Sequence, residues 1–492
     1  MVSDGAKSRR ARRSFNLRTV GPVVTRWLVV GGGAREHALA LALARARAEI
    51  VVASPNANPG LERLAVASAR VRMDEPERIA AFAVERTVDA AVVGPEAPLA
   101  GGLADALRAR HVPTVGPDRA GAQLESSKVF CRELLARHGI EGQPRFVVVR
   151  TPEEVDRAVA AFAGPFVVKP SGLTAGKGVW VQGADFPDAR GGAAYAKTLV
   201  VQGTPALLEE KLEGEEFSLL AFVTDDGVRP MPAVQDFKRA LEGDSGPNTG
   251  GMGSYSQRDH LLPFLSPEAY DRAAHILEAA IAALRAEGIG YRGILYGGFM
   301  LTEQGPRLLE CNVRFGDPEG INVLTLYEEG DLSSLLLGVA SGHLETTLVR
   351  FRRRSTVVRY LVPPGYGARA TGGQVLELDE AAIEGDGVHV VYGSVEAAGP
   401  ASVRLGSGRG VALVGEASAI HEAAARVESA LRHVRGDYYV RHDIGTQADL
   451  AKRWEHMRRL LRPGAGPSPL PLSVAPPEAP PSSAGPPEQL SG

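Results

Sequence analysis

The residues from 166 to 179 combine two strand-like runs with glycines and lysines suited to holding phosphate. Lys169 ends the first apolar run, and Gly172, Gly176, Lys177 and Gly178 follow it. A Walker A loop has four residues between its glycines and opens a helix, whereas three residues separate Gly172 from Gly176 and the next run is strand-like. The amides of such a flap can fold over phosphates while both lysines supply charge. The spacing favours a nucleotide site over the alternative, a hairpin with surface lysines.

A second string follows another apolar run and suits the opposite end of a nucleotide. Glu209 and Leu212 come after that run, and Glu216 lies a few residues further on. The backbone of Leu212 and the side chain of Glu209 can serve an adenine base, and Glu216 can accept ribose hydroxyls. We therefore expect these three residues to bind ATP together with the glycine-rich loop.

Alternating polar residues at the end of a later strand have the chemistry of a metal site. Strand periodicity places Glu310, Asn312 and Arg314 on one face and the apolar Cys311 and Val313 on the other. A carboxylate and an amide oxygen suit Mg²⁺ or Mn²⁺ that bridges phosphates, and an arginine beside them can clamp a transferring phosphoryl group. The alternative is a polar strand face in solvent, which three such residues in line on an apolar strand disfavour.

The chain also has a glycine run near its start. Gly31 to Gly33 stand between a buried run and an Ala- and Leu-rich helix, where amides at a helix N-terminus attract an anion. A dinucleotide is disfavoured, because Glu36 replaces the third glycine of that fingerprint and the second strand ends in Ser54 rather than in an acid. The ligand of this loop is therefore open on local sequence.

Charged residues flank that loop and a second strand end. Arg35, Glu36 and His37 fit either a solvated helix start or a polar pocket for a small phosphorylated sugar. Glu96 follows Pro95 at the end of another strand, on what we expect to be the same ligand-binding edge of the sheet. A further charged string, with Asp236 and Lys238, would alone be a surface turn.

The elements that must position these residues alternate between strands and helices. Trp27–Val30, Ile50–Ala53 and Ala90–Val93 predict parallel strands of a doubly wound sheet over 27–125. Short strands are then predicted at the following places: 145–149, 166–169, 179–182, 207–210, 218–223 and 231–233. A helix over 268–287 capped by Ser266, a hairpin of 297–301 with 307–312, and strands near 356–361, 389–392 and 411–414 before a helix from about 418 complete the prediction.

Composition excludes several classes of protein. Of the 492 residues, 44% are hydrophobic and 23% are charged, and the net charge of −3 does not suggest nucleic-acid binding. Two cysteines, Cys131 and Cys311, allow no disulfide framework and point to a reducing cytoplasm. No apolar run of 18 residues predicts a membrane span.

The two ends of the chain differ from the rest. Residues 1–26 hold seven basic side chains and one acid, which fits a transit peptide, a disordered extension or a start codon placed too early. Ten of the last thirty residues are proline, which predicts a disordered tail, either passive or a ligand for a proline-reading domain.

The motifs, taken in order, resemble those of the ATP-grasp ligases. Lys-Pro-Ser-Gly-x-x-x-Gly-Lys-Gly, Glu-Glu-x-Leu and Glu-x-Asn-x-Arg carry this resemblance. Four further strings resemble the phosphoribosylamine–glycine ligase (glycinamide ribonucleotide synthetase) family of purine biosynthesis: Gly-Gly-Gly-Ala-Arg-Glu-His-Ala (31–38), Val-Gly-Pro-Glu-Ala-Pro-Leu (93–99), Gly-Pro-Asn-Thr-Gly-Gly-Met-Gly (246–253) and Asn-Val-Arg-Phe-Gly-Asp-Pro-Glu (312–319). The resemblance extends to Arg-His-Asp-Ile-Gly at 441–445.

The resemblance implies a mixed α/β and α+β multidomain fold. Its parts would be a basic extension (1–26), a Rossmann-like domain (27–125), an ATP-grasp domain (126–345) with a flap subdomain (about 146–205), a C-terminal α+β domain (346–448), and a helix end with the proline-rich tail (449–492). It implies a cytoplasmic, monomeric enzyme without nucleic-acid or membrane partners.

The resemblance also implies a reaction, in which ATP, glycine and 5-phosphoribosylamine give ADP, phosphate and glycinamide ribonucleotide through glycyl phosphate. Glu310 and Asn312 would bind the metal, and the catalytic residues would be Arg314, Lys177 and Lys238. ATP would be bound by Lys128, Lys169, Gly172, Gly176, Lys177, Gly178, Glu209, Leu212 and Glu216. The other substrates would be bound by Gly32, Gly33, Arg35, Glu36, His37, Asn58, Pro95, Glu96, Asp236, Lys238, Arg314 and Asp317.

Several positions depart from the usual family strings. Ser171, Phe237 and Gly320 stand where Asp, His and Thr are usual, Pro170 and Ile321 stand where Ala and Gln are usual, and the loop at 56–60 is slightly longer than the family's. We expect unchanged chemistry, and the alternative is a ligase for another amino acid or amine. Two alternative functions belong to other classes of protein. An NAD-dependent oxidoreductase would change the nicotinamide absorbance without using ATP, and a nucleotide-binding regulator would bind ATP without releasing ADP.

Overall fold

The computed structural model describes residues 24–162, 164–173, 178–328, 332–345 and 348–461. Most of the predicted basic extension and proline-rich tail lie outside these residues. So do Gly176 and Lys177 of the predicted phosphate loop.

The first part of the chain forms a five-stranded parallel sheet with the order β3-β2-β1-β4-β5. Its strands are β1 (Arg26–Val30), β2 (Glu49–Ser54), β3 (Ala65–Arg70), β4 (Ala90–Val93) and β5 (Thr114–Val115). Its helices are α1 (Ala34–Arg45), α2 (Pro59–Leu64), α3 (Pro76–Glu85), α4 (Glu96–Ala100) and α5 (Leu103–Arg108). Strands β1, β2 and β4 are almost wholly buried apolar runs, as a sheet covered on both faces requires, and the predicted doubly wound sheet is confirmed.

Two helices, α6 (Gln123–Ser126) and α7 (Lys128–Arg137), lead to a small antiparallel sheet with the order β6-β9-β7-β8. Its strands are β6 (Phe146–Val149), β7 (Phe166–Pro170), β8 (Trp180–Val181) and β9 (Ala206–Glu210). The helices of this region are α8 (Pro152–Ala161) and α9 (Ala189–Val201). The sheet and both helices enclose a separate core around Phe166 and Phe186. Strand β7 therefore presents Lys169 from a rigid support, next to the described ends of the glycine-rich loop.

The opposite wall of the site is a second antiparallel sheet with the order β11-β10-β16-β17. It contains β10 (Glu215–Thr224), β11 (Gly227–Pro230), β16 (Gly293–Thr302) and β17 (Gly305–Asn312), packed against α10 (Pro267–Ala286). The hydroxyl of Ser266 accepts a hydrogen bond from the backbone N–H of Ala269, as predicted for a helix cap. The predicted hairpin is formed by β16 and β17.

The predicted strand at 231–233 is wrong. Met231 and Ala233 are buried, but the chain leaves β11 at Pro230 and runs outside any strand until β12 (Gln235–Asp236). Proline at 230 and 232 removes two backbone donors, so the short apolar run packs without forming a ladder.

A third sheet joins the middle of the chain to its later part, with the order β12-β15-β18-β23-β20. The added strands are β15 (Gly253–Ser256), β18 (Ser355–Leu361), β20 (Val388–Tyr392) and β23 (Val411–Ala417), covered by α14 (Ile420–Ala430). The predicted strands and helix of this region are confirmed. Because β12 pairs with β15, Asp236 lies opposite Ser254, and β15 connects it to β18, more than a hundred residues further along the chain.

Nine further β-strands and α-helices of the described residues lie before the last described helix. They are β13 (Arg239–Leu241), β14 (Ser245–Asn248), α11 (Glu319–Leu326), α12 (Leu332–Ser341), β19 (Val375–Leu378), α13 (Glu380–Gly385), β21 (Val395–Gly399), β22 (Ser402–Leu405) and β24 (Val434–Arg435). None of the helices in the described part of the chain combines the length and apolarity needed to cross a bilayer.

The chain described here ends in a complete helix, α15 (Gln447–Leu460), where the sequence predicted only a helix end. The hydroxyl of Thr446 caps it by accepting from the N–H of Asp449. One face of α15 is buried through Leu450, Arg453 and Met457, at the helical spacing of three and four residues.

Candidate active site

A cavity of about 810 Å³ lies where the three sheets and the parallel sheet meet. It brings together most of the residues that the motifs single out. The predicted residues that line it are Arg35, Pro95, Glu96, Lys128, Lys169, Gly172, Glu209, Leu212, Glu216, Asp236, Lys238, Glu310, Asn312, Arg314 and Asp317.

Lys169 forms the floor of the cavity on the side of β7. Its Nζ donates to the Leu309 carbonyl at 3.1 Å and lies 2.7 Å from the carboxylate of Glu209. Arg132 binds the same carboxylate in a fork, at 2.8 and 3.2 Å. Burial acts to raise the pKa of Glu209, but Arg132 and Lys169 outweigh it and lower that pKa to about 2. Glu209 thus fixes two cations, and its predicted contact with adenine stays a prediction.

Lys128 connects α7 to the described base of the glycine-rich loop. Its Nζ donates to the carbonyl of Gly172 at 2.8 Å, and burial lowers its pKa. Gly172 adopts a φ of +114°, a conformation that favours glycine. The contact sets where the loop leaves β7, with the Lys128 and Lys169 ammonium groups on one wall.

Glu310 and Asn312 supply two oxygen donors at the end of β17. The Glu310 carboxylate forms no hydrogen bond or ion pair with the described residues, although three lysines surround it. Burial acts to raise its pKa, but Lys238, Lys169 and Lys128 outweigh it and lower that pKa. A free ionised carboxylate beside an amide oxygen fits a hard divalent cation that keeps phosphate and water as its other ligands.

Lys238 faces Glu310 from the β12 side. Its Nζ lies 2.8 Å from the carboxylate of Glu216, and both side chains remain partly exposed to the cavity. The pair places one cation and one anion opposite the lysines of β7 and α7. A ligand with a polyphosphate and a ribose would meet positive charge at one end and an acceptor at the other.

Arg314 joins the cavity to the parallel sheet. Its Nη2 donates to Glu125 at 2.9 Å and its Nε to Glu96 at 3.3 Å. Glu125 also accepts the N–H of Val313 at 2.8 Å, and burial raises its pKa to about 7 despite the nearby arginine. Sequence reasoning missed Glu125, although it lies three residues before Lys128, which the resemblance assigned to ATP.

A compact polar group lies beyond Arg314. Arg409 binds Asp317 at 3.0 Å, and the hydroxyl of Tyr360 donates to the same carboxylate. One carboxylate oxygen of Asp236 is buried without a hydrogen-bond partner among the described residues, which suits a ligand donor. Arg409 was missed because it follows Asp236 by more than 170 residues, in an ordinary turn.

His37 and Asn58 do not line the cavity. Asn58 donates to the carbonyls of Gly32 (3.1 Å) and Tyr392 (2.8 Å), and His37 Nδ1 accepts the N–H of Tyr392 at 2.9 Å. A Cβ on Gly60 would lie 2.2 Å from the His37 ring, so glycine is required there. Both side chains fasten the first sheet to β20, and their predicted role in substrate binding stays a prediction.

The same arrangement gives a stability prediction. Burial lowers the pKa of His37 from 6.5 to about 3, so between these pH values the unfolded chain binds a proton that the folded chain does not. Stability therefore falls as the pH is lowered from 7. His37→Asn keeps a hydrogen-bond acceptor but cannot titrate in this range. Between pH 7 and pH 5, the free energy of unfolding should therefore decrease by about 2 kcal/mol less in His37→Asn than in the wild type. Denaturant titrations measure this, with the exposed His275→Asn as control; equal losses would contradict it.

The Glu36 carboxylate binds its own neighbours at the start of α1. A Glu36 carboxylate oxygen accepts the N–H of Gly33 at 2.6 Å, and its other oxygen binds Arg35 at 2.7 Å. Arg35 also donates to the carbonyl of Phe315 at 3.0 Å. Of these residues, Arg35 reaches the cavity.

Three of the residues that depart from the family strings, Ser171, Phe237 and Gly320, do not line the described cavity. The Ser171 hydroxyl accepts from the N–H of Val129, Gly320 packs within α11, and Phe237 is buried.

The two cysteines, distant in sequence, meet at the cavity wall. A hydrogen bond between the thiols lowers the pKa of Cys131 and raises that of Cys311. Both are free and buried.

Family models match the chain over both regions that build this cavity. The model of the phosphoribosylglycinamide synthetase N domain matches residues 25–125, and that of the phosphoribosylglycinamide synthetase ATP-grasp (A) domain matches residues 126–320. Phosphoribosylamine–glycine ligase from Pyrococcus abyssi is 42% identical over 435 residues, covering 88% of this chain and 98% of that protein. The chain belongs to the phosphoribosylglycinamide synthetase family.

Another relative and two solved structures are also similar to this chain. Phosphoribosylamine–glycine ligase from Methanoregula boonei is 44% identical over 434 residues, covering 88% of this chain and 99% of that protein. The crystal structure of phosphoribosylamine–glycine ligase from Thermotoga maritima superposes with a TM-score of 0.72 at 27% identity, covering 85% of this chain and all of that one. The biotin carboxylase domain of the Hydrogenobacter thermophilus 2-oxoglutarate carboxylase, at 15% identity and a TM-score of 0.64, shares the fold. It covers 88% of this chain and 94% of that chain. This fold and the family identify an ATP-using ligase.

Proposed function

We propose that this enzyme joins glycine to 5-phosphoribosylamine at the expense of ATP, giving glycinamide ribonucleotide, ADP and phosphate in purine biosynthesis. The observation that carries this proposal is that the Lys169 wall, the Glu310 carboxylate and Arg35 of helix α1 meet in one cavity. Membership of the family supports the same substrates.

The reaction needs two displacements. A carboxylate oxygen of glycine attacks the γ-phosphorus of ATP, and the bond to the β-phosphate oxygen breaks to release ADP. The amine of phosphoribosylamine then attacks the carbonyl carbon of glycyl phosphate, loses a proton, and expels phosphate with the former carboxylate oxygen. The acyl phosphate hydrolyses readily, so a site enclosed by three sheets protects it from water.

We assign the phosphates of ATP to the wall formed by Lys128, Lys169 and the glycine-rich loop. The ribose would be received by Glu216, and the backbone at Leu212 would meet the base. Arg314 and Lys238 flank Glu310 and are placed to stabilise charge on the transferred phosphoryl group. The Arg314 guanidinium has five N–H donors, and one of them remains after its bonds to Glu96, Glu125, Asn312 Oδ1 and the Phe315 carbonyl.

The metal would be Mg²⁺ or Mn²⁺, held by Glu310 and Asn312. The donors are hard oxygens, which these ions prefer, and the described residues contain no group of three or more His, Cys, Asp or Glu side chains that would form a closed protein cage. When bound, the ion would neutralise phosphate charge. We expect EDTA to abolish ADP release and either ion to restore it, whereas activity that persists in EDTA would contradict the assignment.

We further propose the cytoplasm as the compartment and a monomer as the working form. The free, touching thiols of Cys131 and Cys311 suit a reducing environment. The domain limits given from the sequence are part of the proposal, except the limit at 448, which would divide α15 (Gln447–Leu460). Sedimentation equilibrium measures the oligomeric state, and a dimer at micromolar concentration would contradict it.

An assay of ADP release tests the function. ADP should form when ATP, glycine and freshly made 5-phosphoribosylamine are all present, and omission of either glycine or the amine should reduce it to background. Mass spectrometry should identify glycinamide ribonucleotide. Release of ADP with alanine or with another amine, at a rate matching glycine and phosphoribosylamine, would support a diverged ligase instead.

A further inference from the structure

Helix α15 reaches the cavity through Arg453. Its guanidinium binds three carboxylates, those of Glu215 at 2.9 Å, Asp244 at 2.7 Å and Asp449 at 3.0 Å. His456, one turn further on, lies 2.6 Å from the second oxygen of Glu215. Arg453 is 8% exposed, so these are buried contacts between the end of the described chain and the start of β10.

Arg453 also covers the ring of Phe237. Its guanidinium carbon lies 4.4 Å from the ring centroid, and that of Arg441 lies 5.0 Å from it. Both arginines bind Asp244, at 2.7 and 3.0 Å, so two cations that share one acid lie against the ring. We call Phe237, Arg441 and Arg453 the C-terminal clasp.

The clasp holds the chain on both sides of the Glu216–Lys238 pair. Glu215, which Arg453 binds, directly precedes Glu216, and Phe237 directly precedes Lys238. Side chains of an extended chain alternate, so fixing Phe237 on the outer side directs Lys238 toward the cavity. The backbone supports this, because Phe237 donates its N–H to the Gly253 carbonyl at 3.0 Å.

We propose that Arg453 is a positioning residue for the nucleotide, which sets the separation of Glu216 and Lys238 by holding their neighbours Glu215 and Phe237. The inference rests on the proposed function only in taking ATP as the ligand. Loss of the guanidinium should weaken ATP binding while leaving the enzyme's affinity for glycine and for phosphoribosylamine close to wild type. A merely structural role would change all three together or none.

Calorimetric titration with Mg-ATP, without the other substrates, tests the proposal in the full-length protein. Arg453→Lys keeps the charge but loses the planar fork, and we expect its Kd for ATP to rise about fivefold; Arg453→Met should raise it roughly thirtyfold. Arg458→Met removes an exposed charge from the same helix and should bind ATP as wild type does. The KM values for glycine and the amine complete the comparison.

A double variant separates positioning from folding. Without Arg453, Glu215 keeps His456 and Asp244 keeps Arg441, so Asp449 is the buried carboxylate left unpaired. Arg453→Met with Asp449→Asn removes that charge, so its thermal midpoint should recover relative to Arg453→Met alone while ATP binding stays weak. Recovery of both would overturn the proposal, as would an unchanged Kd in Arg453→Lys. Should Arg453→Met fail to fold, Arg453→Lys decides the question. A wild-type protein that binds ATP but ligates nothing would refute the proposed function. The same ATP titrations would then still show whether Arg453 positions the nucleotide-binding residues.

Discussion

Replacing Glu310 by Gln is expected to lower kcat for ADP formation roughly 100-fold, with a smaller change in protein stability. The substitution keeps the shape of the side chain and removes the negative charge that three lysines surround. The amide is a poorer ligand for a divalent cation, and an uncompensated cluster of lysines would bind phosphate oxygens in the wrong arrangement. Steady-state kinetics at saturating ATP, glycine and phosphoribosylamine measure the effect.

The matched control is Glu303→Gln, at the exposed turn of the same hairpin. It removes one charge without approaching the cavity and should retain wild-type kcat. A second test raises the concentration of Mg²⁺ or Mn²⁺, which should recover part of the activity of Glu310→Gln if the loss lies in metal affinity. Wild-type turnover in Glu310→Gln would show that this carboxylate holds no catalytic metal.

Replacing Arg314 by Lys gives the second large effect. A lysine keeps the charge but is too compact to span Glu96 and Glu125 while also facing the cavity, so the transferred phosphoryl group loses a planar donor. We expect kcat to fall roughly 30-fold or more and KM for ATP to change less than threefold, since the contact is made in the transition state.

Arg307→Lys is the control for this substitution, since Arg307 lies on β17, the strand that leads to Arg314, and is hydrogen-bonded to the turn residue Gln304. Circular dichroism and thermal melting show whether Arg314→Lys keeps its fold, because a broken buried pair costs about 3–5 kcal/mol. An Arg314→Lys enzyme with wild-type kcat would contradict the assigned role, whereas a rise in KM for ATP alone would place Arg314 in binding.

Local patterns predicted the elements that carry the chemistry. The buried runs at β1, β2 and β4 and the Ser266 cap of α10 are properties of neighbouring residues, so they were visible in the sequence. Strand periodicity at Glu310 and Asn312 also has a local origin. The run at 231–233 shows the limit, because its burial is tertiary and its prolines prevent pairing.

The partners of the site residues were hidden by distance along the chain. Glu125 binds Arg314 across 189 residues, and Arg453 binds Glu215 across 238. Neither pairing follows from spacing, since both depend on how sheets from separate parts of the chain meet. The spacing of Leu450, Arg453 and Met457 after the Thr446 cap was the available signal for α15, and it did not reveal which face of the protein the helix covers.

His37 shows the same limit at the predicted sugar loop. The glycine run and the helix start were correctly placed, but the ring accepts a hydrogen bond from Tyr392, whose position no local pattern predicts. A polar residue next to a ligand loop can therefore belong to the contact between two sheets.

The central claim is that the cavity transfers the terminal phosphoryl group of ATP to the carboxylate of glycine. Glycine labelled with oxygen-18 in its carboxylate tests this most directly, with the released phosphate examined by mass spectrometry after one turnover. We predict that each phosphate carries one labelled oxygen, because the carboxylate oxygen leaves with phosphorus when the amine attacks. Phosphate without label, released together with the ligated product, would contradict an acyl phosphate and with it the role assigned to this cavity.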